Sequence, residues 1–180
     1  WIEPGQRQHL VCGTPQAVQQ ARVAGFGDAQ ISLTSGMILR PAFYRETRID
    51  REAELAALGL DPARPTGLVM FGGQGSMQIR TIARLLGEQQ LLLLCGHNEL
   101  LARRLKKLRR AAPHAVVGFT PDVGRYMDLA DYFIGKPGPG SLSEAVHMGL
   151  PVITFSNAWT MPQERFNTRW VRELGVGLVL

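Results

Sequence analysis

Tyr132-Phe133-Ile134-Gly135-Lys136-Pro137-Gly138-Pro139-Gly140-Ser141-Leu142-Ser143-Glu144-Ala145 passes from an apolar run, through a turn of glycine and proline, into an amphipathic segment. The run reads as a buried strand, and the turn puts backbone N–H groups at a helix start just beyond the strand end. An anion is the natural occupant of such a turn, because the helix start carries partial positive charge. Downstream, Gln163-Glu164-Arg165-Phe166-Asn167 gathers amide and carboxylate groups, which give or accept hydrogen bonds in fixed directions and so suit the reading of hydroxyl groups.

The same alternation continues on both sides. From about Gly67 onward, short apolar runs at Leu68 to Phe71, Leu91 to Cys95, Ala115 to Phe119, Tyr132 to Ile134, Val152 to Phe155 and Val176 to Leu180 alternate with helical patterns. Parallel strands joined by crossover helices give this pattern, so residues 67–180 are expected to form a doubly wound α/β domain with a parallel sheet. Ile79, Ile82, Leu85 and Leu86 share one side of the first helix, and the second starts at Asn98, a good capping residue.

Residues 1–45 carry a separate βαβ unit: a strand from His9 to Cys12, a helix announced by Thr14-Pro15, and a strand from Gln30 to Thr34. Residues 46–66 read as a polar linker with a short helix around Glu52 to Leu58 and a stop at Asp61-Pro62. A lone βαβ unit leaves two sheet edges uncovered. With a chain that opens at Trp1 and closes on the strand Val176 to Leu180, the expectation is a portion of a longer two-domain protein.

With 180 residues and 45% hydrophobic composition the chain has enough apolar material for one good core, which excludes disorder. Its longest apolar run, Leu91 to Cys95, falls far short of the roughly 20 residues that span a bilayer. Cys12 and Cys95 each close an apolar run and lack a CxxC partner, which points to buried thiols in a reducing, cytoplasmic compartment. His97, His114 and His147 are scattered over different elements without HxH or HExxH spacing, so no metal is expected. The net charge of +5 is concentrated between Arg103 and Arg110. On a helix Leu101, Leu105 and Leu108 form one stripe, with Arg103, Lys106, Lys107 and Arg110 opposite. That is either a solvated face or a contact for anionic lipid headgroups, and without interleaved aromatics nucleic acid is not expected.

Gly72-Gly73-Gln74-Gly75-Ser76-Met77 follows the first strand of the larger domain and precedes its first helix. Glycines there let amides approach a phosphate closely, although a tight turn with no ligand uses the same residues. The loop departs from GxGxxG, and the next strand ends in Cys95-Gly96-His97-Asn98 with no acidic residue for a ribose, which disfavours a nicotinamide cofactor. Ser141 with Glu144 three residues on is a capping box, or else Glu144 accepts hydrogen bonds from a ribose diol. Lys136 is either a surface cation or a charge beside a diphosphate, which would remove the need for a metal ion. Gln163, Glu164 and Asn167 are either a polar helix start or hydroxyl readers, and Trp159 either packs or lines a pocket.

These residues resemble a known family. His9 to Pro15, Thr34-Ser35-Gly36-Met37, the Gly72 to Met77 loop, Cys95 to Asn98, Gly118-Phe119-Thr120, Lys136 to Ser141, and Gln163-Glu164 with Asn167 are similar to the GT-B glycosyltransferases of the monogalactosyldiacylglycerol synthase type. These are related to the lipid-linked glucosaminyltransferase of cell-wall synthesis. The resemblance implies two Rossmann-like domains facing a cleft, one binding a UDP-sugar and the other a lipid acceptor such as diacylglycerol. This chain would be the βαβ tail of the acceptor domain and nearly all of the donor domain, acting at the inner membrane face. By the same resemblance Phe119 would hold the uracil and Glu144 the ribose. Gly73, Gly75, Lys136, Gly140 and Ser141 would surround the diphosphate, and Gln163, Glu164 and Asn167 would meet the sugar. The family transfers with inversion and needs no cofactor, and its general base lies in the other domain, so no catalytic residue is expected here. Ser141 stands where relatives often carry threonine and Pro137 where they carry a small residue. A UDP-N-acetylglucosamine epimerase-like enzyme, or a donor-binding half that needs a separate partner chain, are the competing readings.

Overall fold

The structure, a computed structural model, describes residues 7–37, 39–45, 49–157 and 160–180, and within these leaves the Gln163 side chain undescribed. The chain divides into two compact units, Trp1–Arg40 and Pro41–Leu180.

In the first unit β1 (Leu10–Cys12) pairs in parallel with β2 (Ile31–Leu33), and α1 (Pro15–Val23) makes the crossover. Thr14 caps α1 by accepting from the Ala17 amide at 3.1 Å, and Pro15 takes the first helical position, as its missing N–H permits.

The second unit holds a six-stranded all-parallel sheet. Its strands are β3 (Thr66–Met70), β4 (Gln90–Leu94), β5 (His114–Val117), β6 (Tyr132–Gly135), β7 (Val152–Thr154) and β8 (Gly177–Val179), in spatial order β5-β4-β3-β6-β7-β8. The connections are α3 (Gln78–Leu85), α4 (Glu99–Lys106), α5 (Val123–Asp128), α6 (Pro139–His147) and α7 (Pro162–Glu173). The chain therefore builds outward from β3 to β5, crosses back, and builds outward again from β6. The reversal falls between β3 and β6, whose last residues, Met70 and Gly135, are register partners. Open parallel sheets bind ligands at such a reversal, outside the carboxyl ends of the strands.

Leu91, Leu92, Leu93 and Leu94 are all buried, because helices cover both faces of β4. Each such burial stabilises by about 1.5–3 kcal/mol. One core layer unites Val69, Leu91, Leu93 and Ile134 with Ile79 and Ala83 of α3 and Leu101 and Leu105 of α4. β4, β5 and β7 end one or two residues earlier than their apolar runs suggest, which places Cys95, Phe119 and Phe155 beyond the strand ends.

The segment expected to be a linker is part of the second unit. A 3-10 turn, Pro41–Tyr44, buries Phe43, whose carbonyl meets His147 Nε2 at 2.9 Å, and the Tyr44 ring stands edge-on to the same imidazole. The helix α2 (Arg51–Ala57) buries Leu55, and its Arg51 pairs with Asp131 at 2.8 Å while Glu54 pairs with Arg125. Within 46–66 Leu55 and Leu60 are buried, and Phe43 just before it is buried too. Glu46, Thr47 and Arg48 of that segment lie outside the described residues.

Arg110 is a second correction. The helix α4 stops at Lys106, so Arg110 is not on its cationic face. The guanidinium instead donates to the carbonyls of Ala83 at 2.7 Å, Leu86 at 2.7 Å, Gln89 at 2.6 Å and Pro113 at 3.3 Å. Three of these carbonyls lie at or beyond the end of α3 and the fourth just before β5; those of Leu86 and Pro113 also accept from the Gln89 and Leu91 amides, and a planar fork of donors serves all four at once. Arg103, Lys106 and Lys107 remain exposed. Among the described residues no helix is long and apolar enough to cross a membrane.

Candidate functional site

The turn after β6 begins the site. Gly138, extended at φ −74° and ψ 134°, is the N-cap of α6, and no side chain caps the helix. Its amide turns back onto the Lys136 carbonyl at 2.8 Å, and Leu142 closes the first turn onto the Gly138 carbonyl at 3.2 Å. Pro139 has no N–H, so Gly140 and Ser141 supply the amides at this helix start, at the carboxyl end of a central strand. The helix starts earlier than a Ser141–Glu144 capping box requires. Ser141 is the third residue of α6 and Glu144 the sixth, half-buried one turn further in. The capping-box alternative is thereby excluded.

The start of α7 is fastened to this turn at two points. Lys136 Nζ meets Glu164 Oε1 at 3.0 Å, and Asn167 Nδ2 donates to the Pro137 carbonyl at 2.7 Å. The Glu164 side chain is 8% exposed and that of Lys136 39%, so the ammonium has the solvent and the carboxylate has the wall. A Cβ at Gly138 would lie 3.3 Å from Lys136 Cε, 3.6 Å from Glu164 Oε1 and 3.7 Å from Ser141 Oγ. The absent side chain lets these three side chains close in around the turn. Beneath it Thr154 Oγ1 donates to the Gly135 carbonyl at 2.9 Å and fixes the end of β6 to β7.

On the other side of the reversal the loop after β3 folds over the loop after β4. Gly75, at φ +65°, would place a Cβ 2.2 Å from the Cys95 carbonyl oxygen, and Gly96, at φ +56°, would place one 2.1 Å from the Gly73 oxygen. Only glycine satisfies both the left-handed backbone and the contact at these two positions. The His97 amide donates to the Gly73 carbonyl at 2.8 Å and locks the loops together. Gly73 and Gly140 differ from this pair, for a Cβ on either would meet nothing within 4 Å. Their faces are open to whatever approaches the backbone. A Cβ on Gly72 would come within 3.9 Å of Lys136 Cε, which joins the two halves of the site.

Phe119 lies beyond the end of β5, 57% exposed, with its ring stacked on His97 at 4.0 Å between centroids and 16° between planes. Two exposed aromatic rings thus stand at the outer end of the same strand edge. His97 is the residue that spacing arguments miss, since a lone histidine before the capping Asn98 carries no metal or catalytic signature. Asn98 itself caps α4 as expected, accepting from the Leu101 amide at 2.9 Å.

The structure therefore gathers Lys136, Ser141, Glu164 and Asn167 around Gly138, borders them with Gly72–Gly75, and sets Phe119 apart with His97. Asn167 gives one of its amide hydrogens to the turn. Ala158 and Trp159 lie outside the described residues, as does the Gln163 side chain. Burial pushes the Cys95 thiol up to about 11, and both cysteines are free and buried. Among the described residues no group of three or more His, Cys, Asp or Glu side chains could hold a metal ion.

A parallel sheet with glycine-bordered helix starts on either side of its topological reversal defines a Rossmann-like α/β domain. More narrowly, the chain belongs to glycosyltransferase family 28, with residues 68–178 matching the C-terminal domain of that family. It is 34% identical over 180 residues to monogalactosyldiacylglycerol synthase, chloroplastic, of Spinacia oleracea, covering 94% of this chain and 34% of that protein. The chain thus spans about a third of the length of that curated relative. Among solved structures it is similar to Arabidopsis thaliana UGT89C1 complexed with UDP, with TM-score 0.62, 14% identity and coverage of 95% of this chain and 44% of that one. It is also similar to Anabaena Alr3699/HepE in complex with UDP-glucose, with TM-score 0.52, 14% identity and coverage of 94% and 55%. At these identities the two likenesses establish the fold, the one expected from the sequence.

Proposed function

We propose that this chain is the donor-binding portion of a glycosyltransferase that moves a hexose from a UDP-sugar to a lipid acceptor such as diacylglycerol, with inversion. The observation that carries this reading is the convergence of the Gly140 and Ser141 amides, the open Gly73 backbone and the Lys136 ammonium on one reversal of a parallel sheet. That arrangement suits a diphosphate held by backbone dipoles and one cation. The likeness to the spinach relative, named a monogalactosyldiacylglycerol synthase, supports the lipid acceptor. In this reading Glu144 holds the ribose hydroxyls, and Phe119, backed by His97, faces the uracil. Gln163, Glu164 and Asn167 meet the hexose, and Asn167 also holds the turn that presents Lys136.

The chemistry assigned to these residues is leaving-group stabilisation. As the glycosidic bond to the diphosphate breaks, negative charge grows on the departing phosphate oxygen, and donors already pointing there lower the barrier without reorganising. One ammonium and several amides do this with no resident metal ion. The acceptor hydroxyl is deprotonated by a base supplied outside this chain, and closure around the donor brings the reacting atoms to about 3–3.5 Å. Arg103, Lys106 and Lys107 are exposed and suit anionic headgroups.

Calorimetric titration with UDP, ADP and NAD tests the reading. UDP binds saturably and raises the melting temperature, a ligand at 100 times its Kd adding about 2.7 kcal/mol to the folded state, and Glu144→Ala weakens that response. Equal responses to all three nucleotides contradict a uridine-selective site.

A further inference from the structure

The pair formed by Lys136 and Glu164 has a property that stability does not account for. A carboxylate 8% exposed facing an ammonium 39% exposed gives up hydration that offsets most of the attraction, so such a pair is a weak stabiliser. Losing one partner is another matter, because the buried charge that remains is uncompensated. Any ligand that draws the ammonium away from Glu164 must therefore supply a substitute.

The position of the pair decides which ligands do so. Lys136 stands in the turn that opens α6, beside the Gly140 and Ser141 amides, and Glu164 Oε1 lies against the same turn, 3.6 Å from where a Cβ on Gly138 would stand. A diphosphate seated on those amides reaches for the ammonium and brings like charge toward the Glu164 carboxylate. In a nucleoside diphosphate-sugar the hexose follows the second phosphate, and its hydroxyls donate to a carboxylate, restoring what the ammonium withdraws. A free nucleoside diphosphate ends in a terminal phosphate instead, with more negative charge and no hydroxyl to give. The Asn167 bond to the Pro137 carbonyl at 2.7 Å keeps the two sides at a fixed spacing, so the carboxylate cannot retreat with α7.

We infer that Lys136 and Glu164 form a selectivity element that favours the sugar-loaded donor over the spent nucleoside diphosphate. The inference rests on the donor-binding reading above and deepens it. Lys136 is shared between phosphate and carboxylate, and Glu164 makes the sharing costly unless a sugar is present. The consequence is easier product release, since the site that has lost its hexose holds the diphosphate less tightly.

Calorimetry on the 180-residue chain with UDP, UDP-galactose, UDP-glucose and UDP-N-acetylglucosamine provides the test. The wild type prefers at least one sugar nucleotide to UDP. Glu164→Gln, which removes the charge and keeps the shape, tightens UDP about five- to tenfold and cuts the sugar preference by about tenfold or more. Lys136→Arg holds the carboxylate by a two-pronged contact and shifts the preference the opposite way, weakening UDP more than the sugar nucleotide. This second variant keeps the ion pair and guards against a Glu164→Gln chain that fails to fold. A Glu164→Gln chain that weakens UDP, or leaves the preference unchanged while both ligands still bind, overturns the selectivity element and leaves the donor reading standing. A wild type that binds neither UDP nor any sugar nucleotide overturns both.

Discussion

The Phe119 ring lies flat against the His97 imidazole, 4.0 Å away between centroids, although the two residues come from loops after different strands. Stacking holds the exposed phenyl ring in one orientation, and an oriented aromatic face is what a nucleobase needs. Phe119→Ala should weaken UDP binding by about 1–3 kcal/mol, the range for loss of a base-stacking partner. His97→Ala should lose part of that by freeing the ring, and His97→Phe should restore it. Calorimetric affinities across the three variants check this order, and a His97→Phe chain no better than His97→Ala refutes a stacking role.

The glycines of the site separate into two kinds. Gly73→Ala and Gly140→Ala add a methyl where nothing lies within 4 Å, so thermal stability should hold while UDP affinity falls, because the methyl occupies ligand space. Gly75→Ala meets the Cys95 carbonyl oxygen at 2.2 Å from a left-handed backbone and should lower stability by about 1–3 kcal/mol. Melting curves with and without UDP distinguish these outcomes. Loss of stability at Gly73 and Gly140 without loss of affinity would mean that no ligand comes near them.

Arg110 holds the end of α3 and Arg103 holds nothing of comparable weight. Arg110→Ala removes a donor shared by four carbonyls, of which those of Leu86 and Pro113 keep a backbone partner, and should cost about 2–3 kcal/mol by urea unfolding, with Arg110→Lys recovering less than half because an ammonium lacks the fork. Arg103, whose contact is an exposed i,i+4 pair with Glu99 at 3.3 Å, should be replaceable by alanine within about 0.5 kcal/mol.

The buried Cys95 thiol makes stability depend on alkaline pH. Its pKa rises from 9.0 to about 11 on folding, so between those values the native thiol keeps its proton while the unfolded one has lost it. Protons bound by the native state are then more numerous, and the unfolding free energy falls as pH rises through the window, by about 3 kcal/mol at most. Burial also raises the Tyr132 phenol from 10.0, which adds a loss of the same sign. Cys95→Ala should flatten the decline between pH 9 and 11 relative to wild type, and an identical slope in the two proteins would contradict the assignment.

Much of this architecture is legible in the sequence because parallel strands buried on both faces leave continuous apolar runs, such as Leu91 to Leu94, that no amphipathic helix imitates. The cap at Asn98 and the proline at the first position of α1 are local signals and fall where the sequence puts them. The site is legible to the extent that it is local: Gly138 to Ser141 is one turn and one helix start. What spacing cannot convey is which distant side chains meet it. The Lys136–Glu164 contact joins residues 28 apart, and the His97–Phe119 stack depends on the register of β4 against β5. Arg110 misleads in the opposite sense, since a cation at the end of a basic run looks solvated until the end of α3 is found beneath it. In the stretch before β3 polar residues dominate the composition, while the few apolar ones, Leu55 and Leu60, are the ones buried.

The account stands on a diphosphate and uridine seated across the reversal between β3 and β6, and amide resonance shifts on titration with UDP test that most directly. The largest saturable shifts are expected at Gly73, Gly75, Gly140 and Ser141, with Phe119 moving in step and ADP leaving Phe119 unmoved. Shifts confined to α4 or to residues 10–33, or none that saturate, would contradict the account.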